Sequence, residues 1–248
     1  MSDVRAAMAR LKNAQKSSKG AAAYSRFVNR PLGRPLAATA YVWGWTPTQV
    51  TLLSGAMTVL GILSIALLDP TWWSSILSAV LLMLGYALDS ADGQLARLTG
   101  RGSLAGEWLD HFFDAIKAST IHLAVFVCWY RFFDLPDLWL AVPLAYGAVA
   151  SVFFFGLIAT DFLRRLHRLQ HPDLFVDAPA ESWRSSSLYS LAVIPSDYGF
   201  LCLSFVLLWW HEGFLILYTV LAATNILVLM LAAGRWYVSI RRLDRADA

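Results

Sequence analysis

Long apolar stretches separated by short polar breaks dominate the chain. Uncharged or nearly uncharged runs occupy residues 47–68, 72–88, 118–130, 138–160, 198–210 and 214–233. Several reach the roughly 20 residues that an α-helix needs to cross a bilayer. The third and fifth are shorter; the third gains length by extending back through Asp110, and Pro195-Ser196-Asp197 marks the approach to the fifth. The pattern predicts an all-α polytopic membrane protein with six transmembrane helices and an N-terminal interfacial helical segment. Thr46-Pro47-Thr48 opens the first span, with Thr46 as N-cap and Pro47 at the first helical position. Residues 1–45 then form the basic interfacial segment, 46–240 the six-helix transmembrane domain and 241–248 a solvated tail.

Composition strengthens this assignment. The chain has 248 residues, 58% of them hydrophobic, against about 45–50% in a soluble domain. Eight Lys and Arg residues precede the first span, Arg97 and Arg101 flank the break between the second and third, and Arg164, Arg165, Arg168 and Arg184 lie between the fourth and fifth. Arg235, Arg241, Arg242 and Arg245 follow the last. The opposite connections carry only Arg131. Positive residues gather on the cytoplasmic side, so both termini and the 99–102 turn are expected there. The net charge of +3 thus reflects attraction to anionic lipid headgroups and predicts no nucleic-acid partner. Cys128 and Cys202 fall in apolar segments without metal-ligand spacing, as buried small hydrophobes do. No apolar run precedes Tyr24, so a cleavable signal peptide is not expected.

Residues 1–20 read as a frayed or surface-lying helix to which no chemistry is assigned. In the stretch that follows, Arg26, Arg30 and Arg34 recur every four residues among aromatic and aliphatic neighbours, an interfacial pattern that Pro31 and Pro35 are expected to interrupt. These arginines either anchor in headgroups, or Arg26 or Arg30 reaches a substrate phosphate.

Chemistry is concentrated in residues 89–114, DSADGQLARLTGRGSLAGEWLDHFFD. Asp89 and Asp92 are spaced i, i+3, and Asp110 and Asp114 i, i+4, so each pair shares a helix face. Antiparallel packing across the Gly-rich turn would bring all four carboxylates together. Asp89, Asp92, Gly93, Ala96 and Arg97 form one stripe: Gly and Ala leave space beside the acids, and Arg97 suits a phosphate. Gly106, Asp110, Asp114 and Lys117 form the other; Lys117 either pairs with an aspartate or receives an anionic substrate group. His111 points about 100° off the carboxylate stripe, and His122 reads as a core histidine. Asp197 caps the fifth span or contributes to an acceptor pocket. An intramembrane Asp costs about 2.5–3.5 kcal/mol, and Arg97 and Lys117 cannot neutralise four. Divalent cations can: all-oxygen ligation favours Mg²⁺ or Mn²⁺, shared carboxylates suit two ions, and Mg²⁺ draws substrate phosphate into its shell.

The residues Asp89, Asp92, Gly93, Ala96, Arg97, Gly106, Asp110 and Asp114 spell D-x2-D-G-x2-A-R-x8-G-x3-D-x3-D without departure. This resembles the signature of the CDP-alcohol phosphotransferases. The resemblance implies that an acceptor hydroxyl attacks the alcohol-bearing phosphorus of a CDP-alcohol, such as CDP-diacylglycerol or CDP-inositol, forming a phosphodiester and releasing CMP. It further implies that the four aspartates hold two divalent cations, Mg²⁺ or Mn²⁺, and that Asp114 is the general base. Asp92, Gly93, Ala96 and Arg97 would contact nucleotide and diphosphate, in a homodimer within the cell membrane. Candidate acceptor contacts are Lys117, Arg26, Arg30, Asp197 and His111.

Two further likenesses pull the acceptor apart. Residues 25–31 (SRFVNRP) are similar to the stretch before the first span in transferases that join CDP-inositol to inositol phosphate, whereas Asp110-His111 resembles the Asp-His of choline and ethanolamine phosphotransferases. An alcohol or polyol acceptor stays open, with a phosphorylated polyol ahead. A UbiA-type prenyltransferase with an Mg-bound diphosphate and a non-enzymatic divalent-cation carrier are the alternatives; the Gly-x2-Ala-Arg register and the cluster's place at one border separate this chain from them.

Overall fold

Helices in this chain start where a hydroxyl side chain can take up their free N–H groups. In the computed structural model, which describes residues 2–13, 23–171 and 196–246, helix α3 (Pro47–Leu67) opens on the expected Thr46 cap, with Gln49 completing a reciprocal capping box. Thr71 and Ser74 do the same for α4 (Trp72–Thr99), and Ser103 caps α5 (Leu104–Phe132). The remaining helices are α1 (Ser2–Asn13), α2 (Arg30–Val42), α6 (Ala141–Gln170), α7 (Tyr198–Ser204) and α8 (His211–Ala246). No strand occurs among the described residues.

This is an all-α polytopic membrane fold. Five helical stretches are long and apolar enough to cross a bilayer: α3, α4, α5, Asp137–Gln170 and His211–Asp244. The sixth expected span is met by a shorter apolar helix, Tyr198–Leu207, about 15 Å long at the α-helical rise. α6 and α8 leave large apolar side chains such as Phe155 and Met230 exposed, a surface suited to lipid tails.

Three boundaries depart from the sequence expectation. α5 starts six residues before Asp110, because Ser103 accepts the Gly106 N–H and begins the helix at once. α6 runs through Gln170, so Arg164, Arg165 and Arg168, placed between the fourth and fifth spans, continue the fourth helix; residues 172–195, with Arg184, lie outside the described residues. Pro31 and Pro35 do not break the interfacial helix. A π-helical turn, Ser25–Asn29, precedes α2, and Pro31 falls in its first turn, where no N–H is needed. α1 lies on the surface as expected but is docked there, with Ala7 and Leu11 buried against the α2–α4 cluster. The last helix continues beyond 240 through Ala246.

Small and hydroxyl residues set the packing, as they do where lipid offers no hydrophobic drive between helices. α3 and α4 form a close hairpin: Gly61 meets Leu82, Gly85 meets Thr58, Ser54 Oγ donates to Gly85 O at 2.8 Å, and the hydroxyls of Ser64 and Ser78 lie 2.7 Å apart. α3 also packs against α5, while α4 and α5 make few direct backbone contacts. The space between their motif ends is therefore open. Deeper, Trp129, Phe205, Phe214 and Tyr218 fill a core joining α5, α7's extension and α8, where His122 Nδ1 meets Tyr218 Oη at 2.6 Å as a core histidine would. Cys128 and Cys202 are free and buried.

Gly55 is the tightest point of the α3–α5 contact, since a Cβ there would overlap the Phe113 ring. Gly55→Leu is expected to cost about 1–3 kcal/mol through overpacking, read as a lower melting temperature of the purified protein in detergent, whereas Gly102→Ala, with open space around it, should melt like the parent.

Candidate active site

The break between α4 and α5 is built by its caps. Gly100 ends α4 in the left-handed region (φ 66°), which lets Arg101 N–H donate to Ala96 O at 3.1 Å. Ser103 then accepts the Gly106 N–H at 3.0 Å. Gly106 of the motif thus also serves the start of α5.

The four aspartates differ in environment. Asp92 is buried, and Thr51 of α3 donates its hydroxyl to Asp92 Oδ2 at 2.6 Å. Asp89 and Asp114 are joined by Lys117, whose Nζ lies 3.2 Å from Asp89 Oδ1 and 2.5 Å from Asp114 Oδ1. Tyr86 and Tyr198 enclose the ammonium with ring centroids at 5.9 and 5.3 Å. Asp110 lies within electrostatic range of Asp89, Asp92 and Asp114. Lys117 bridges two aspartates where the sequence suggested one, and the close group of possible metal ligands among the described residues is Asp110, His111 and Asp114.

Two cavities meet at this cluster. The larger, about 750 Å³, runs from Thr48 and Thr51 past Gly93, Ala96 and the 100–103 turn to Glu107. The smaller, about 290 Å³, is lined by Ser25, Asn29, Arg30, Tyr86 and Asp89. Asp92, Gly93, Arg97 and Asp110 border both. A Cβ on Gly93 would sit 3.5 Å from Arg97 Nη1, so the guanidinium folds back over the glycine.

His111 comes closer to the acids than its position off the stripe suggested. One of its ring nitrogens lies within 4.8 Å of oxygens of Asp110 and Asp114, because i, i+3 spacing to Asp114 lets the ring swing back. Its Nδ1 is buried without a hydrogen-bond partner. Asp197 instead caps α7, accepting from Gly199 N at 3.0 Å, and ties down the interfacial segment by accepting from Ser25 N at 3.2 Å. Burial raises its carboxyl pKa against the backbone N–H groups that favour the charged form. Arg26 packs over Phe27, 5.1 Å from the ring centroid, and does not line either cavity. Of the two candidate interfacial arginines, Arg30 is the one that lines a cavity bordered by the cluster.

Sequence inspection missed Thr51, Asn29 and Tyr86. Tyr86 precedes Asp89 by three positions and so extends its stripe, a signal that was present. Thr51 is one of several hydroxyl residues on an apolar helix, and nothing local distinguishes it.

Helical hairpin, turn and acidic cluster define the class, and the comparisons agree: residues 45–236 match the CDP-alcohol phosphatidyltransferase family, to which the chain belongs. Over 120 residues it is 32% identical to the phosphatidylinositol phosphate synthase of Mycolicibacterium smegmatis, an alignment covering 48% of this chain and 51% of the relative. Over 94 residues it is 34% identical to the archaetidylinositol phosphate synthase of Pyrococcus horikoshii, covering 38% of this chain and 47% of that protein. The chain spans about half the length of the curated relatives it matches.

The Thr51 hydrogen bond gives a direct test of the geometry. Thr51→Val leaves the buried Asp92 carboxylate without its hydroxyl donor and should destabilise the protein by roughly 1–3 kcal/mol, seen as a lower melting temperature. Thr51→Ser should restore most of the loss.

Proposed function

We propose that the chain transfers a lipid-bearing phosphate from a CDP-linked lipid alcohol, such as CDP-diacylglycerol, to a hydroxyl of a phosphorylated polyol of the inositol phosphate type, releasing CMP. The observation that carries this reading is the pair of cavities meeting at one acidic wall. The larger has the small residues Gly93 and Ala96, which leave room for cytidine. The smaller has Arg30 beside Arg97, which suits a second phosphate. Both relatives' names describe products that join a lipid to an inositol phosphate, in agreement with a phosphorylated acceptor.

The residues present fit a divalent cation. Their donors are carboxylate oxygens with one imidazole in reach, and the cluster already recruits the ammonium of Lys117. Asp89, Asp92, Asp110 and Asp114 would hold two ions, Mg²⁺ or Mn²⁺, which supply charge neutralisation at the diphosphate and the leaving CMP. Asp114 takes the proton of the acceptor hydroxyl. The hydroxyl oxygen bonds to the lipid-bearing phosphorus as the bond from that phosphorus to the CMP oxygen breaks. Lys117 touches Asp114 and is itself held between two acids, so its part is to position the base. Thr51 orients Asp92, and Arg97 contacts the diphosphate. Rate then comes mainly from positioning and electrostatics. Cytoplasmic termini and active site follow from the charge bias, and a homodimer from the resemblance.

The test is CMP release by purified protein supplied with CDP-diacylglycerol, Mg²⁺ or Mn²⁺, and either inositol phosphate or inositol. Metal-dependent CMP with the phosphorylated acceptor is expected; inorganic diphosphate as the released product, or ion flux without turnover, would overturn the assignment. Asp114→Asn should lower turnover by about 10²–10⁴-fold, the usual weight of a general base, while CDP-diacylglycerol still binds. Asp89→Asn should weaken metal-dependent donor binding as well. Arg30→Ala should raise the acceptor KM and leave the donor KM near the parent value; an unchanged acceptor KM would remove Arg30 from the acceptor site.

A further inference from the structure

Hydrogen-bond donors and no acidic side chain line a third cavity, on the α1 side of the end of α4. Its volume is about 390 Å³, and Arg10, Tyr41, Trp45, Thr99 and Arg101 line it. It lies apart from the carboxylate cluster, although Arg101 also borders the larger motif cavity.

The fold holds both arginines in place. Arg10 stands on α1 between Ala7 and Leu11, which are 1% and 0% exposed, so the docked face of the helix fixes where Arg10 points. Its Nη1 donates to the Tyr41 hydroxyl at 3.0 Å, and its guanidinium lies 5.5 Å from the centre of that ring. Arg101 sits in the turn whose path Gly100 determines. Among the described residues neither arginine forms a salt bridge.

The polar atoms left over are donors. Thr99 uses its hydroxyl hydrogen on Leu95 O at 2.8 Å, whereas Tyr41 accepts from Arg10 and keeps its own hydrogen for a ligand. Two guanidinium groups and a phenol hydroxyl, converging without a counter-charge, make an anion site. Depth indicates where the anion comes from. Trp45 and the largely exposed Trp43, 67% accessible, lie just ahead of the first turn of α3 at Pro47, the level at which Trp marks the headgroup region of a bilayer.

We propose that this cavity binds the phosphate of an anionic phospholipid, as a site separate from that of the reaction. A lipid held there pins α1 to the end of α4 by charge, in addition to the Ala7 and Leu11 contacts. The proposal rests on residues that are not among the eight fixed positions of the motif and holds for any donor or acceptor.

The test places the full chain in nanodiscs of phosphatidylcholine containing phosphatidylglycerol and counts retained lipid by native mass spectrometry. The parent should keep phosphatidylglycerol in preference to phosphatidylcholine. Arg10→Gln should weaken that retention roughly tenfold, as expected for loss of a charge-assisted hydrogen bond, while Arg10→Lys keeps part of it. The double variant Arg241→Gln, Arg242→Gln, at the exposed end of α8, should retain lipid like the parent. Tyr41→Phe, which removes the hydroxyl donor but keeps the ring, gives the same reading if Arg10→Gln does not fold. Equal retention by the parent and Arg10→Gln, with equal melting temperatures, overturns the proposal. Equal retention of phosphatidylglycerol and phosphatidylcholine by the parent, with inorganic phosphate bound by the parent and not by Arg10→Gln, overturns the lipid as occupant and assigns the cavity to the free ion.

Discussion

The ammonium of Lys117, held between Asp89 and Asp114, is the interaction on which the motif end of the protein depends. Carboxylates near a bilayer repel one another and lose hydration, and a cluster of them would push α4 and α5 apart. One buried cation that touches an acid on each helix reverses the sign of that force. It also explains how the two helices can hold a shared site while making few backbone contacts. Tyr86 and Tyr198 complete the enclosure, so α7 joins the same arrangement through a residue next to the Asp197 cap.

The open space between α4 and α5 has a second cause in α3. That helix packs on both partners, and it does so with residues small enough for close approach, Gly55 against Phe113 and Thr58 against Gly85. With α3 as a wedge, the motif faces point into a gap and not into each other. Thr51, on the same wedge, reaches the Asp92 carboxylate. Packing and chemistry therefore share one helix: residues that set its distance from α4 and α5 also determine where one carboxylate points.

Much of this was legible in residue patterns, and the limits are physical. Thr46, Pro47, Gly100 and Asp197 act through local backbone geometry, which spacing reveals directly. The four aspartates were visible because periodicity puts i, i+3 and i, i+4 pairs on one face. What spacing does not carry is reach between elements. Lys117 touching two acids, Thr51 meeting Asp92, and Arg30 in place of Arg26 at the cavity each depend on how separate helices dock. The end of α6 was misjudged for a related reason: Arg164, Arg165 and Arg168 mark departure from hydrocarbon, not the end of a helix, and Arg165 continues to pair within α6 through Asp161 at 2.7 Å. The short helix Tyr198–Leu207 shows the converse, since an apolar run supported by neighbours need not reach full spanning length.

Helix length finally decides where the chemistry stands. α4 has 28 residues, about 42 Å at the α-helical rise, against a hydrocarbon core of about 30 Å. Asp89 lies about 26 Å from the start of α4, and Asp114 about 27 Å from the end of α5. The two acids that share Lys117 are thus at one height, close to the far edge of the hydrocarbon when Trp72 and Trp73 mark the near one. Asp92, about 30 Å along α4, stands at that edge, and Arg97 and the 100–103 turn rise beyond it into the headgroup layer. The transfer proposed above would need such a level: deeper, a charged acceptor could not arrive, and further out, acyl chains would have to leave the bilayer. The i, i+4 step from Asp114 back to Asp110 covers about 6 Å of that boundary, enough for one cluster to touch both phases.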